Sequence, residues 1–215
     1  IPCYNEEKNI EKLVNKIKEL EYDYLIINDN SNDNSEELLK SLNINHIKLP
    51  NNMGLANVTK IGFKYAKDYN YDSMIVIDGD GQHPPKYIKN LILEIDKGFD
   101  YVVCLRFVDN GKPINMRMIG SRLLCFFIRI KTGVVVSDPT SGMRAFGKKI
   151  IKDFSTDMNF IAEPDALVYI IRKKYKIKEV QVDMIDRQEG VSYFKNPFKS
   201  IKFMFMNILS ILLVR

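Results

Sequence analysis

The chain has 215 residues, of which 46% are hydrophobic and 27% are charged, and its formal net charge is +5. These values are close to globular averages, so they exclude a disordered chain and a polytopic membrane protein. The 32 basic and 27 acidic residues are interspersed, so charge indicates no nucleic-acid partner. A chain of this length buries roughly 70% of its unfolded surface, which predicts one domain with a real core.

The apolar spacing in the first half predicts alternating helices and strands. Predicted helices cover 6–20, 35–42 with Ser35 as N-cap, 55–68 and 85–97, and predicted strands cover 24–27, 46–49, 74–77 and 101–105. The run 74–77 is continuously apolar, as in a strand buried on both faces of a parallel sheet. Strand and helix alternation of this kind implies a parallel α/β sheet with crossover helices.

The second half begins with a long apolar helix, and its last helix carries a candidate membrane contact. We predict a helix at 116–131, a loop at 137–142, a helix at 166–174, a strand at 178–184 and a final helix at 197–215. Lys199 and Lys202 flank an apolar stretch that is shorter than the ~20 residues needed to cross a bilayer. We therefore predict a catalytic domain at 1–196 and an amphipathic, membrane-interfacial helix at 197–215, with packing on the sheet as the alternative.

Cysteine usage and the start of the chain bear on its compartment. The three cysteines, Cys3, Cys104 and Cys125, form no CxxC pair, which predicts reduced cytoplasmic thiols and not disulfides or a zinc site. No signal peptide is visible, and the chain opens at Ile1 without a methionine. We expect its first strand to be incomplete.

Three polar clusters follow predicted strands, where ligands bind in open parallel sheets. They are Tyr4-Asn5-Glu6, Asn28-Asp29-Asn30-Ser31 and Asp78-Gly79-Asp80-Gly81-Gln82-His83. Each alone is ordinary turn chemistry, but three along one sheet edge indicate a site. The carboxylates of Asp78 and Asp80 are suited to one hard cation that a diphosphate also coordinates. An EF-hand loop is excluded by His83 and Lys89 at its sixth and twelfth positions, and no GxGxxG or GxxxxGK[ST] motif occurs.

Five segments resemble motifs of the family-2 glycosyltransferases, in particular the polyprenyl-phosphate (dolichol-phosphate mannose synthase-like) branch. In chain order they are PCYNEE, INDNSNDNS, DGDGQHPP, DPTSGMRAF and KEVQVDMIDRQEGVS. The resemblance covers nearly the whole length. It implies a three-layer α/β/α fold of the glycosyltransferase A type with a mostly parallel sheet. It also implies an inverting, metal-dependent transferase that moves a sugar from a UDP- or GDP-sugar to a membrane-associated acceptor, such as polyprenyl phosphate, in cell-surface glycan synthesis.

The resemblance assigns the donor site residue by residue. Residues implied to hold the base and ribose are Pro2, Tyr4, Glu6 and Asp29. Asp78 and Asp80 are implied to hold the ribose or diphosphate and a Mg²⁺ or Mn²⁺ ion, with Gln82 beside them. Asn28 and Asn30 replace an Asp and a Gly of the family motif, which leaves uracil and guanine both open as the base.

Charge stabilisation and proton transfer have further candidates. A departing nucleoside diphosphate develops negative charge, and the arginines available to stabilise it are Arg117, Arg122, Arg144 and Arg187. Arg144 and Arg187 match family positions that contact phosphate-bearing substrate. A hydroxyl acceptor needs a carboxylate base, for which the resemblance indicates Glu163 and, second, Asp138, whereas an ionised polyprenyl phosphate needs none.

Two other functions are compatible with an acidic site on a parallel sheet. A sugar nucleotidyltransferase usually carries a Gly- and Arg-rich phosphate loop near its amino end, and PCYNEE has none. A non-catalytic nucleotide-sugar-binding or scaffold domain is favoured if Asp78 and Asp80 bind no metal. The sequence therefore predicts a transferase with a nucleotide-sugar donor and a lipid-linked acceptor, peripheral at the cytoplasmic face of a membrane, and leaves its oligomeric state open.

Overall fold

Seven strands and eight helices alternate along the parts of the chain that the structure describes. This computed structural model describes residues 1–105, 116–156, 163–183 and 197–213, without the side chains of 116–118, 163, 197–200 and 202. The strands are β1 (Pro2–Cys3), β2 (Ile26–Asn28), β3 (His46–Lys48), β4 (Ser73–Val76), β5 (Tyr101–Leu105), β6 (Arg144–Gly147) and β7 (Ile177–Gln181). The helices are α1 (Ile10–Lys18), α2 (Ser35–Ser41), α3 (Leu55–Asp68), α4 (Ile88–Asp96), α5 (Met116–Thr132), α6 (Lys148–Thr156), α7 (Glu163–Arg172) and α8 (Pro197–Leu213), with a 3₁₀ turn at Pro85–Tyr87.

The strands form two hydrogen-bonded groups. The first group is parallel throughout, in the order β1-β2-β3, and the second has the order β4-β6-β5-β7. Strand β6 runs antiparallel to both of its neighbours, whereas β5 and β7 are parallel. The sheet is therefore mostly parallel, with one antiparallel strand inserted beside β4.

Helices cover the sheet on both faces and give three layers. Along β5, Tyr101 and Val103 pack in a cluster with residues of α3, α5, α6, α7 and α8. The alternate residues Val102 and Cys104 pack in a second cluster with residues of α1, α2 and α4. Because successive side chains of a strand point to opposite faces, β5 is buried on both sides by apolar helices.

The observed elements agree with the predicted ones where the apolar pattern is long. Helix α3 and strand β5 have the predicted bounds. Strand β6 and helix α6 were not predicted. The predicted cap at Ser35 is wrong, because Ser35 lies within α2 and its hydroxyl accepts the Glu6 N–H at 3.1 Å. The Asp33 carboxylate accepts the Ser35 N–H instead, at 3.0 Å.

A cavity of about 410 Å³ lies between the two groups of strands, at the amino-terminal ends of β2 and β4. Its lining is mainly apolar and includes Leu25, Val58, Met74 and Ile92. Ligands of open parallel sheets bind at the opposite, carboxyl-terminal edge. The lining also includes Pro2, one of the predicted donor contacts, so the cavity adjoins the candidate site from inside the fold.

The three cysteines are free thiols in the interior of the fold. Cys3 and Cys104 are buried and Cys125 is half-buried. Burial raises the pKa of the Cys104 thiol to about 12. Burial, together with nearby Glu6 and Asp33, raises the pKa of the Cys3 thiol to about 12 as well. Both thiols are therefore protonated at neutral pH, whereas a nucleophile or a metal ligand needs the thiolate form.

Candidate active site

Hydrogen bonds join the first two polar clusters into one surface. The Asn5 N–H donates to Ser31 Oγ at 3.0 Å, and the Asn32 N–H donates to Asn5 Oδ1 at 2.8 Å. The Asn32 side-chain amide donates to the Tyr4 hydroxyl at 3.2 Å, and Tyr4 remains 44% exposed. The loops after β1 and β2 are therefore held together at the carboxyl edge, and a side chain predicted to contact the donor faces solvent.

The contact of Asn28 with the buried carboxylate of Glu36 explains why this chain has Asn28 where the family motif has an aspartate. Asn28 is fully buried and its side-chain amide donates to Glu36 Oε2 at 2.8 Å. Asn28 Oδ1 in turn accepts the N–H and the hydroxyl of Ser31, at 3.0 and 2.7 Å. Burial raises the pKa of the Glu36 carboxyl, but the bonds from Asn28 and Lys40 outweigh burial and leave this pKa below its usual value. Asn28 thus supports an ionised Glu36, which an aspartate could not do.

Asn28→Asp is expected to destabilise the fold at neutral pH by roughly 3 kcal/mol, because it places two carboxylates in contact inside the protein. The cost exists only where both groups are ionised, above the unfolded carboxyl pKa of about 4. The destabilisation caused by Asn28→Asp should therefore shrink as the pH falls. The stabilisation that ionised Glu36 gives the parent protein is lost over the same fall in pH, because the pKa of Glu36 is lowered in the folded state. Urea unfolding of both proteins at neutral and mildly acidic pH measures the difference.

The exposed Asn43→Asp serves as the control for charge alone. It should leave the free energy of unfolding within about 0.5 kcal/mol of the parent at both pH values. Equal stability of Asn28→Asp and the parent at neutral pH would contradict the role assigned to the amide.

Asp29 follows β2, as predicted, and it also binds the loop before α3. Its Oδ1 accepts the Met53 N–H at 2.7 Å and its Oδ2 accepts the Gly54 N–H at 2.9 Å. Asp29 is buried, and Asn30, which follows it, has a φ of 57°. Asparagine tolerates this left-handed conformation, which explains how it replaces the glycine of the motif. Asp29 ties β2 to the loop before α3, and contact with a nucleotide stays a prediction.

The acidic turn after β4 lies against the end of β1. A Cβ atom on Gly79 would be 2.9 Å from the Pro2 carbonyl oxygen and 3.5 Å from Glu6 Cγ. Gly79 therefore permits a close approach that places its neighbours Asp78 and Asp80 beside the first cluster. The Asp80 Oδ1 accepts the Gln82 N–H at 3.1 Å, which fixes the turn.

The register of β6 brings a fourth segment to the same place. Arg144 of β6 lies opposite Val76 of β4 in antiparallel pairing. Continuing this register by two residues brings Gly142 level with Asp78. A Cβ atom on Gly142 would lie 1.9 Å from Asp78 Oδ2, so only glycine leaves space for this carboxylate. The segment DPTSGMR and the turn DGD therefore form one site.

The loop before β6 is anchored by hydrogen bonds at residues that precede Gly142. The Ser137 N–H and hydroxyl donate to the Glu179 carboxylate of β7 at 2.9 and 2.8 Å. Asp138, a candidate base, is buried and its Oδ1 accepts the N–H and hydroxyl of Thr140 at 3.3 and 3.2 Å. This pairing makes Asp138 a support of the loop, and its role as a base stays a prediction.

Ser141 and Arg144 are the buried polar side chains that flank Gly142. The Ser141 hydroxyl is 1% exposed and has no hydrogen-bond partner among the described residues. Arg144 is 5% exposed, and its guanidinium carbon lies 5.8 Å from the ring centre of Phe146. The sequence predicted Arg144 as a site residue but not Ser141, which lies inside the motif DPTSGMRAF, or Glu36, which directly follows INDNSNDNS.

The structure thus unites most of the predicted site and leaves part of it outside the described residues. The residues it brings to one edge are Pro2, Tyr4, Glu6, Asp29, Asp78, Asp80, Gln82, Asp138 and Arg144. Arg187 lies outside the described residues. Arg117 and Glu163 are placed by their backbones alone, in α5 and at the start of α7. The exposed Arg122 also lies on α5.

The donor set of this edge fits a hard divalent cation. Among the described residues no group of three or more His, Cys, Asp or Glu side chains is arranged for a metal ion. Asp78 and Asp80 supply two half-buried carboxylates, and Gly142 leaves space at one of them. Mg²⁺ and similar ions are commonly held by one or two carboxylates and completed by substrate phosphates. The pair is therefore compatible with the predicted ion.

An α/β sheet with an acidic turn and a glycine-lined loop at its carboxyl edge has the architecture of enzymes that bind a ligand in that crevice. Residues 1–155 match the family described as Glycosyl transferase family 2. The chain therefore belongs to glycosyltransferase family 2 and is a glycosyltransferase, as its motifs predicted.

Two relatives illustrate the branch. The UDP-N-acetylglucosamine--dolichyl-phosphate N-acetylglucosaminyltransferase of Methanococcus voltae is 31% identical over 210 residues, which cover 86% of this chain and 84% of that protein. The dolichol-phosphate mannosyltransferase of Pyrococcus furiosus is 31% identical over 209 residues, 91% of this chain and 58% of that protein. The predicted polyprenyl-phosphate branch of the family is confirmed.

A solved structure shares the fold. Glucosyl-3-phosphoglycerate synthase from Mycobacterium tuberculosis, in complex with Mn²⁺, uridine-diphosphate-glucose and phosphoglyceric acid, superposes with a TM-score of 0.73. It is 18% identical, and the match covers 98% of this chain and 76% of that one. The predicted A-type glycosyltransferase fold is confirmed.

Proposed function

We propose that this glycosyltransferase is inverting and metal-dependent and moves a sugar from a UDP- or GDP-sugar to a polyprenyl phosphate at a membrane. The observation that supports the proposal most is the contact of Asp78 with Gly142, since it joins the acidic turn to the loop that carries Ser141 and Arg144. The relatives named above act on dolichyl phosphate, and the synthase with this fold was solved with Mn²⁺ and a uridine-diphosphate sugar.

The chemistry follows from these groups. A phosphate oxygen of the acceptor forms a bond to the anomeric carbon while the bond from that carbon to the nucleoside diphosphate breaks, which inverts the configuration. Bound at Asp78 and Asp80, Mg²⁺ or Mn²⁺ would offset the negative charge of the departing diphosphate. Arg144, the first residue of β6, carries a positive charge two residues beyond Gly142, and Arg117 and Arg187 are proposed to contribute further charge.

The acceptor decides whether a proton must be removed. A polyprenyl phosphate is ionised at neutral pH and attacks without a general base. Glu163 and Asp138 are then free for binding or structural roles, and one of them would act as base only with a hydroxyl acceptor. The proposed donor contacts of Pro2, Tyr4, Glu6, Asp29 and Gln82 are common to both cases.

Transfer is tested by incubating a full-length form with UDP- and GDP-sugars, a short polyprenyl phosphate and Mn²⁺ or Mg²⁺. Chelator-sensitive formation of a lipid-phosphate sugar with inverted anomeric configuration is the expected result. Production of a sugar nucleotide from a nucleoside triphosphate and a sugar phosphate would identify a nucleotidyltransferase instead. Nucleotide-sugar binding without turnover under any of these conditions would leave only a binding or scaffold role.

A continuous apolar surface on α5 and α8 supports the membrane part of the proposal. The two helices pack against each other, and Lys131 Nζ donates to the Leu212 carbonyl at 2.8 Å. The outer side chains are 41% to 68% exposed and comprise Ile119, Leu123, Phe126 and Ile130 of α5 with Ile201, Phe205, Leu209, Leu212 and Leu213 of α8. We name this set the apolar face.

The apolar face has the chemistry of a membrane-surface contact. Exposed Arg122 and Arg129 of α5 provide positive charge for anionic lipid headgroups. No described helix is both long enough and apolar enough to serve as a membrane span. From the apolar face and these two arginines we propose peripheral attachment at the cytoplasmic side, with α5 and α8 lying in the interface. The division into a domain at 1–196 and an interfacial helix at 197–215 remains a prediction, now extended to include α5.

Phe205→Glu and Phe126→Glu are each expected to weaken binding to vesicles of phosphatidylcholine and phosphatidylglycerol by at least about tenfold. Each variant replaces a ring whose burial contributes about 2 kcal/mol with a charge that anionic lipid repels. Cosedimentation measures the binding. Tyr69→Glu, which is 66% exposed on another part of the surface, is the matched control and should bind as the parent does. Equal binding by all four proteins would contradict a membrane role for the apolar face.

A further inference from the structure

Helix α8 exposes apolar residues and buries two polar ones. Its outward side carries Ile201 and Phe205, which are 65% and 66% exposed. Its inward side carries the core residue Ile211 together with Asn207 and Ser210, which are 1% and 7% exposed. A surface helix of a globular protein ordinarily keeps its polar residues on the outer face. The inward polar residues therefore point to a specific contact beneath the helix.

That contact is with a buried carboxylate at the start of α7. The Ser210 hydroxyl donates to Asp165 Oδ2. Asp165 is 1% exposed, and its Oδ1 accepts the Ala166 N–H at 2.7 Å. A carboxylate in the interior is costly unless its oxygens accept hydrogen bonds. Departure of α8 would remove one of these bonds, so the position of α8 and the state of Asp165 depend on each other.

Asp165 lies in the first turn of α7, the helix that begins at Glu163. Residues 164 and 165 are both buried, and α7 packs against α5 as well as α8. The helices that carry the apolar face therefore pack against the helix whose first turn contains Glu163, a candidate catalytic residue. One hydrogen bond, from Ser210 to Asp165, connects α8 directly to this turn, so a shift of α8 would disturb it.

We propose that the bond between Ser210 and Asp165 is a positioning contact through which the seating of α8 on a membrane orders the first turn of α7 and activates sugar transfer. The proposal rests on the proposed membrane-associated transferase function. A membrane that binds the apolar face favours the seated position of α8, and the bond passes this preference to α7. Ser210 and Asp165 act through their neighbours and do not touch the reacting atoms.

Hydrogen exchange tests the coupling without reference to activity. In the parent protein, vesicles of phosphatidylcholine and phosphatidylglycerol should slow amide exchange in α8 and in residues 165–170. In Ser210→Ala, vesicles should still slow exchange in α8, but the effect on 165–170 should fall by about fivefold, the factor that corresponds to a hydrogen bond of roughly 1 kcal/mol. Ser41→Ala, which removes an exposed helical hydroxyl bonded to the Leu38 carbonyl, should behave as the parent does.

Kinetics supply the second measurement. Vesicles should raise kcat of the parent, and Ser210→Ala should lose about fivefold of this increase with little change in KM for the donor. Ser210→Thr keeps a hydroxyl, so its kcat should rise with vesicles as that of the parent does. Asp165→Ala combined with Ser210→Ala should lose no more than the larger single effect, because each change removes one partner of the same contact.

The outcomes separate the two proposals. Vesicle protection of residues 165–170 that is equal in the parent and Ser210→Ala, or absent from the parent, overturns the coupling even if transfer is observed. Coupling in hydrogen exchange without any transfer by the parent counts against the proposed function and leaves the contact between α8 and α7 standing.

Discussion

Asp80→Asn is expected to lower the rate of sugar transfer by about a hundredfold or more and to remove the metal dependence of nucleotide binding. The substitution keeps the size of the side chain and its Oδ1, so the bond from the Gln82 N–H at 3.1 Å survives and the turn keeps its shape. Only the negative charge of a proposed metal ligand is lost. Removal of one group that stabilises transition-state charge commonly costs a factor of this size.

Two measurements separate this effect from loss of folding. Calorimetric titration with the nucleoside diphosphate, with and without Mn²⁺, should show metal-enhanced binding in the parent and equal binding in the variant. Asp96→Asn, a surface change of the same kind on α4, should match the parent in both assays. An Asp80→Asn protein with parental kcat and parental response to chelator would remove Asp80 from the metal site.

Long apolar patterns predicted the fold well. Helix α3 and strand β5 have the predicted bounds, because α3 has 14 residues of helical periodicity and β5 is a short apolar run rich in aromatic and β-branched residues. Strand β6 escaped prediction because it has four residues and opens with a buried arginine, a residue type that is mostly exposed. Helix α6 had a signal in Ile150, Ile151 and Phe154, which lie on one helical face and are buried.

The candidate site shows the same division between local and nonlocal information. That Asp29 and Asp78 stand after strands could be predicted from sequence, since it needs only the alternation of elements. That Gly142 contacts Asp78 depends on the register of an antiparallel strand that the sequence pattern does not reveal. The role of the Asn28 amide likewise depends on Glu36, which lies eight positions away within the predicted helix 35–42 and had no predicted role in the site.

Gly142→Ala is expected to abolish most transfer, by about a hundredfold or more, although it changes no group that takes part in the chemistry. The new Cβ atom would lie 1.9 Å from Asp78 Oδ2 and 2.6 Å from its Cγ, so the carboxylate must move. The backbone of Gly142 lies outside the left-handed region, so alanine itself is permitted there. A displaced Asp78 can no longer share a cation with Asp80, and crowding of this kind also costs roughly 1–3 kcal/mol of stability.

The cause of this loss can be isolated within the chain. Gly147→Ala adds the same methyl group in the same strand region, where the nearest atoms lie 3.5 to 3.7 Å away, and should leave transfer and stability near parental values. Adding Asp78→Ala to Gly142→Ala removes the atoms that clash, so the unfolding free energy should recover while transfer remains absent. If Gly142→Ala instead retained parental transfer, Asp78 would be free to leave Gly142 without consequence, and the joint site of the acidic turn and the loop before β6 would be wrong. Because stability and transfer respond differently in the double variant, the experiment distinguishes a crowded carboxylate from a protein that has simply failed to fold.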